Sequence, residues 1–317
     1  MNLSRILRRT PALAGVLVCA LLTACATPQV TQLRTGAPDH EVAQQADLKS
    51  VPFFAQKEYE CGPAALAMVM NAAGVAITPD ALVDQVYLPA RKGSLQVEML
   101  AATRKKGLLA YPLQPALKDL LQEVAAGHPV LVFQNVSLPI YPVWHYAVVI
   151  AYDLEHNTIT LHSGETERLE MSLFTFERTW ARGNYWAMLA LKPDQMPATA
   201  DAKAFARTVA SLEVQHPDAA RTAYSTALQR WPREAALRFG LGNSAYALKD
   251  LTGAALAYQQ AVQQQPDFAD AWNNLAQVQF EQGLRTAAQG SIARAVALGG
   301  VRLAQYLELQ TQIEASQ

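Results

Sequence analysis

The spacing of apolar positions changes character near Pro193. Upstream, short β-branched and aromatic runs alternate with segments of helical period. Downstream of KPDQMPATAD, Lys192–Asp201, the chain is mostly Ala, Leu, Gln and Arg at helical spacing. A period near 3.6 predicts helix, and compact β-branched runs predict buried strands. The upstream half therefore reads as an extended lead-in at Val51 and a helix over Gly62–Ala73 with Pro63 in its first turn, where the missing N–H costs nothing. A second helix lies within Lys92–Leu108, opened by Ser94 and closed at Gly107, and a third runs from Ala116 to Gly127 into a buried strand ending near Asn135. VWHYAVVIAY, Val143–Tyr152, is a strong strand that DLEHNT turns back through ITLHSG, and NYWAMLALKP, Asn184–Pro193, is the closing strand. Helices first and antiparallel strands after predict an α+β domain over 50–193.

The second half, 202–317, follows a linker at 194–201 and repeats every 34 residues. Ala220, Ala254 and Ala288 share one phase, Tyr224, Tyr258 and Ile292 a second, Ala227, Ala261 and Ala295 a third, and Pro232, Pro266 and Gly300 end the units. Leu241 and Leu275 keep the same register. Small residues at one phase let helices approach, the aromatic fills the space between hairpins, and proline ends each unit. The pattern resembles tetratricopeptide repeats, and DAWNNLAQVQFEQG, Asp270–Gly283, matches their first helix at Trp272, Leu275, Ala276 and Gly283. The other units are worn: Arg238 stands where Trp272 would be, and the helix before His216 keeps little of the pattern. The resemblance implies an all-α solenoid that binds a peptide or protein partner along a concave face.

At the other end, Met1–Arg9 carries Arg5, Arg8 and Arg9 ahead of an apolar run, Ala12–Leu22, that is too short to span a bilayer. It ends in LTAC, Leu22–Cys25, which resembles the lipobox of bacterial lipoproteins. That resemblance implies a cleaved signal peptide over 1–24, acylation of Cys25 that holds the protein on a membrane, and a polar tether over 25–49. Alanine at 26, rather than the aspartate that retains lipoproteins at the inner membrane, implies an outer-membrane anchor facing the periplasm. A formal net charge of −1 with scattered Lys and Arg gives no basic stripe for nucleic acid. The sequence also lacks a zinc pair, a phosphate loop and a nucleotide fingerprint, so no metal or cofactor is expected.

Cysteine usage then singles out one residue. Cys19 leaves with the signal, Cys25 carries the lipid, and Cys61 remains without a disulfide partner in an oxidising compartment. Most free cysteines are buried and inert. Cys61, however, lies in EYECGPAA at the predicted start of a helix, where free N–H groups and the helix dipole favour an anion and a lowered thiol pKa. A thiolate is best sustained by an imidazolium that later protonates the leaving amine. His40 falls in the tether, His216 in the repeats, and His128 and His156 in turns, whereas His145 opens a strand that would hold a base rigidly. Gln56, five residues before Cys61, offers a side-chain amide to an oxyanion.

Gln56, Cys61-Gly62-Pro63 and, 84 residues after the cysteine, His145-Tyr146 together resemble the papain-like cysteine peptidases that remove double-glycine leaders from bacteriocins, including stand-alone relatives. The likeness covers roughly Ser50–Leu191. It implies Cys61 as nucleophile, His145 as base and Gln56 as oxyanion donor in a cysteine peptidase working through a thiolate. The family usually places an aspartate at the end of the returning strand, where this chain has His162 in HSGE. His162 is the expected third member; Ser163 or Glu165 could substitute, or the site could be silent. Three functions follow: a lipid-anchored periplasmic peptidase whose repeats recruit the substrate or its carrier, a silent peptide-binding scaffold, or a murein endopeptidase, a class that tolerates a histidine in the third place.

Overall fold

The computed structural model describes residues 27–35 and 42–315, so Cys25, the signal peptide and His40 lie outside the described residues. In chain order the elements are α1 (Pro28–Thr35), β1 (Gln45–Asp47), α2 (Cys61–Ala72), α3 (Asp80–Val86), β2 (Tyr87–Leu88), β3 (Gly93–Ser94), α4 (Gln96–Lys105), β4 (Leu109–Pro112), α5 (Leu117–Ala125) and β5 (Val130–Asn135). Then come β6 (Trp144–Asp153), β7 (Thr158–Ser163), β8 (Thr166–Ser172), α6 (Leu173–Arg182), β9 (Ala187–Leu191) and α7 (Ala202–Ala210). The remaining helices are α8 (Pro217–Arg230), α9 (Ala235–Ala247), α10 (Leu251–Gln264), α11 (Ala269–Glu281), α12 (Arg285–Leu298) and α13 (Leu303–Ala315). These elements form two compact units, one of the described residues up to Ala65 with Pro112–Met188, the other of Leu66–Tyr111 with the residues from Leu189 onward.

The first unit is built on an antiparallel sheet in which the start of β9, then β5, β6, β7 and β8 lie side by side, with β1 on the far half of β6. Residues Tyr146–Tyr152 of β6 are all buried, as expected for a strand covered on both faces. Ser172 caps α6 through the Phe174 N–H, and Gln134 on β5 donates to Thr179 on α6 at 2.7 Å. Gly183 ends the helix against β5: a Cβ there would lie 2.1 Å from the Phe133 carbonyl, so only glycine fits.

The stretch expected to be a bare polar tether contains a docked helix. Val30 of α1 is fully buried, and Glu177 of α6, itself 0% exposed, accepts the N–H groups of Gln29 at 2.9 Å and Val30 at 2.7 Å. A carboxylate there satisfies two of the partnerless donors of a helix start and complements its dipole. Gln29 also accepts the Leu117 N–H at 2.5 Å and donates to the Pro115 carbonyl at 3.1 Å. Local hydropathy could not show this helix, because its partners stand more than 80 residues away and one apolar side chain carries its burial.

The second unit joins α3, α4 and β4 to the repeats. Ser94 belongs to β3 rather than capping a helix; α4 starts at Gln96 without a side-chain cap and ends at Lys105, and Gly107, with φ +72°, turns the chain just beyond its C-cap Lys106. From α8 to α13 the helices pair as hairpins. Cβ atoms at Gly240 and Gly242 would lie 2.1 Å from the Tyr224 ring and 2.4 Å from the Tyr258 ring, so the repeating tyrosines fill the space that small residues leave. The worn unit keeps one contact of the regular one: Arg238 reaches the Pro232 carbonyl at 3.5 Å where Trp272 donates to Pro266 at 3.0 Å. His216 donates to the Lys105 carbonyl at the end of α4 at 3.1 Å, and Tyr111 meets Phe205 at 6.5 Å between ring centroids. The repeats thus pack directly on the α4–β4 segment.

Candidate active site

Cys61 is the first residue of α2. A turn closed by the Glu60 N–H on the Lys57 carbonyl (3.0 Å), with Tyr59 at φ 62°, delivers the chain into the helix. Holding a non-glycine residue there costs roughly 1–2 kcal/mol. The thiol is buried, 9% exposed, with the backbone N–H groups of Tyr146, Gly62 and Cys61 near enough to its sulfur to favour the thiolate. Burial pushes this thiol up, and the three backbone donors only partly offset it.

His145 stands one residue before that Tyr146 donor, on β6 opposite Gln134 of β5. Its Nε2 shares a 2.9 Å hydrogen bond with Ser163 Oγ at the end of β7, and burial lowers its pKa to about 4. At neutral pH a neutral imidazole therefore accompanies a neutral thiol. Desolvation of both groups thus opposes the resting thiolate that a helix N-terminus favours. The Tyr146 phenol is pushed up by burial and then by Cys61, and stays protonated beside the sulfur.

Gln56 is fixed by its backbone: its N–H donates to the Gly164 carbonyl at 3.2 Å, in the β7–β8 turn where Gly164 has φ +63°. Its side-chain Oε1 is buried without a hydrogen-bond partner. A continuous path thus links Gln56 to Gly164, neighbouring Ser163, His145, Tyr146 and Cys61.

His162 does not join it. Its Nδ1 lies 2.8 Å from the Glu167 carbonyl, its Nε2 3.1 Å from the Val51 carbonyl, and its ring 5.3 Å from that of Phe53. The cause is a bulge. Near the turn β6 pairs with β7 as Asp153↔Thr158, Tyr152↔Ile159 and Ala151↔Thr160; beyond it the pairs are Val149↔Leu161 and Val148↔His162. Continued without the bulge, the first register would set position 162 opposite Val149, on the face that His145 shares by alternation. One extra residue reverses the parity, so Ser163 faces His145 and His162 faces away. No local signal for that bulge was visible; Ser163 was readable only as a substitute. Among the described residues no group of three or more His, Cys, Asp or Glu could hold a metal ion.

The fold defines an α+β domain followed by helical repeats, with His145 adjoining the Tyr146 backbone that meets Cys61. More particularly, residues 48–187 match the model of the Peptidase_C39 like family, and 210–267 and 257–289 match tetratricopeptide repeat models, so the chain carries a C39-like peptidase domain followed by tetratricopeptide repeats. Among solved structures the chain is similar to a putative C39-like peptidase from Bacillus anthracis, with 17% identity, 47% of this chain and 98% of that chain covered, and a TM-score of 0.39. A double glycine motif protease from an AMS/PCAT transporter, in complex with its leader peptide, matches at 20% identity over 46% of this chain and 93% of that one, TM-score 0.37. The TPR2B-domain:pHsp70 complex of yeast Sti1 matches at 18% identity over 35% of this chain and 95% of that one, TM-score 0.34. No curated protein matches the chain significantly.

Proposed function

We propose that the protein is a lipid-anchored periplasmic cysteine peptidase in which Cys61 attacks a peptide carbonyl, His145 is the base, Ser163 orients the imidazole, and the repeats hold the substrate or its carrier. The observation that carries this reading is the path from Gln56 through Gly164, Ser163, His145 and Tyr146 to Cys61. With Nε2 held by Ser163, Nδ1 is left for the thiol. The thiol proton passes to His145 as the carbon–sulfur bond forms, and the oxyanion accepts hydrogen bonds from the Gln56 amide and the Cys61 N–H. Collapse breaks the carbon–nitrogen bond while the imidazolium returns its proton to the amine. Water, deprotonated by His145, then attacks the thioester, releasing the acid and restoring the thiol. His145 here begins neutral and acts as a general base.

The neutral pair also favours one alternative, a silent domain that binds a peptide as a scaffold. The motive for a murein endopeptidase is weaker, since His162 faces away from His145. Incubation with a double-glycine leader peptide and, separately, with purified murein is the test. Cleavage of the peptide that disappears in Cys61→Ala is expected; muropeptide release alone would replace the substrate class, and no turnover of either would leave the scaffold.

A further inference from the structure

The loop joining β5 to β6, VSLPIYPV, is a cluster of exposed apolar side chains. Leu138 is 58% exposed, Ile140 77%, Tyr141 76% and Trp144, at its foot, 50%. No charged residue lies between Asn135 and Trp144. The loop is built, not slack. Buried Asn135 accepts the N–H groups of Ser137 and Val143, each at 3.0 Å, Val136 N–H donates to the Val143 carbonyl at 3.0 Å, and Arg182 Nη1 donates to the Ser137 carbonyl at 2.7 Å. These bonds hold the apolar tip outward, where folding gains nothing from it.

The direction of α1 says what it meets. Gln29 of α1 bonds to Glu177 and hydrogen-bonds Tyr185, whereas Arg34, further along, lies over the Phe174 ring at 5.8 Å. The helix therefore runs opposite to α6, and the chain comes to it from the C-terminal end of α6, where Arg182 grips the loop. By sequence the proposed lipid site, Cys25, is two residues before Thr27. The start of α1 and the exposed loop thus lie at the same end of one unit.

We propose that the 136–144 loop is a second membrane contact, inserting Ile140, Tyr141 and Trp144 into the interfacial layer of the bilayer that holds the acylated N-terminus. This rests on the lipid-anchor part of the proposed function. Uncharged Pro-, Tyr- and Trp-bearing loops suit the headgroup boundary, and two weak attachments hold a protein where one acyl chain is marginal. Protrusion separates this from a peptide-binding wall, which is concave. Because Trp144 adjoins His145, the proteolytic site would work on peptide segments at the membrane surface.

The test uses the full acylated chain with Cys61→Ala and Ile140→Cys, the new thiol carrying an environment-sensitive dye, in phosphatidylethanolamine/phosphatidylglycerol vesicles. A dye at Val214, 94% exposed on the second unit, is the control. Brominated acyl chains are expected to quench position 140 at least twofold and leave 214 unchanged, while aqueous iodide does the reverse. Equal iodide access at both positions overturns the proposal, as does a dye that answers only to added peptide. Mass measurement of the N-terminal peptide reports acylation separately. If the chain is unacylated the anchor reading fails, and the dye, with vesicles added, still decides for or against the loop.

Discussion

At the residue scale, a single inserted residue decides which side chain meets His145. The sequence made Cys61, His145 and Gln56 legible because each is marked by local context: a helix start, a strand start, and a fixed offset. The third member was not, because its identity depends on strand parity, and the bulge between Val149 and Ala151 decides parity. Replacing Ser163 by alanine should lower kcat about fivefold, the equivalent of one neutral hydrogen bond of about 1 kcal/mol, with KM unchanged. His162→Ala should instead reduce stability without a separate loss in kcat. Since His145 must be neutral to act and burial holds it to about 4, the acid limb of kcat/KM should fall near pH 4 rather than 6.5. Ser163→Asp, which adds a charge that stabilises the imidazolium, should move that limb toward neutrality. A limb unmoved in Ser163→Asp would contradict the assigned contact.

At the element scale, sequence period and capping gave the helix at Cys61, the buried strand over 130–135 and the repeat hairpins, since these are set by neighbours along the chain. Elements set by distant partners were missed. α1 owes its place to Glu177, and β8 has no buried position to stand out; α6 does carry a helical stripe, Leu173, Phe176 and Trp180, interrupted by the buried Glu177. Glu177→Ala would leave two N–H groups of α1 without their carboxylate, at a cost of about 2–3 kcal/mol. Hydrogen exchange over residues 28–35 should become fast in this variant while β5 and β6 stay protected; unchanged protection would show that Val30 packing alone holds the helix.

At the scale of the whole molecule, the near-neutral composition directed attention to sites rather than to fields, and the change of pattern at Pro193 marked two kinds of architecture. It did not show that the repeats continue into α4 and β4 as one compact unit, since His216 and Phe205 read as repeat residues until Lys105 and Tyr111 are found beside them. The central claim remains covalent chemistry at Cys61 driven by His145. Its most direct test is the intact mass of the protein after exposure to a peptidyl epoxide, a thiol-alkylating peptide, in the wild type, Cys61→Ala and His145→Ala. One adduct on Cys61, absent in the first variant and formed at least about 100-fold more slowly in the second, is the predicted result. No adduct, or one that forms as fast without His145, would contradict it.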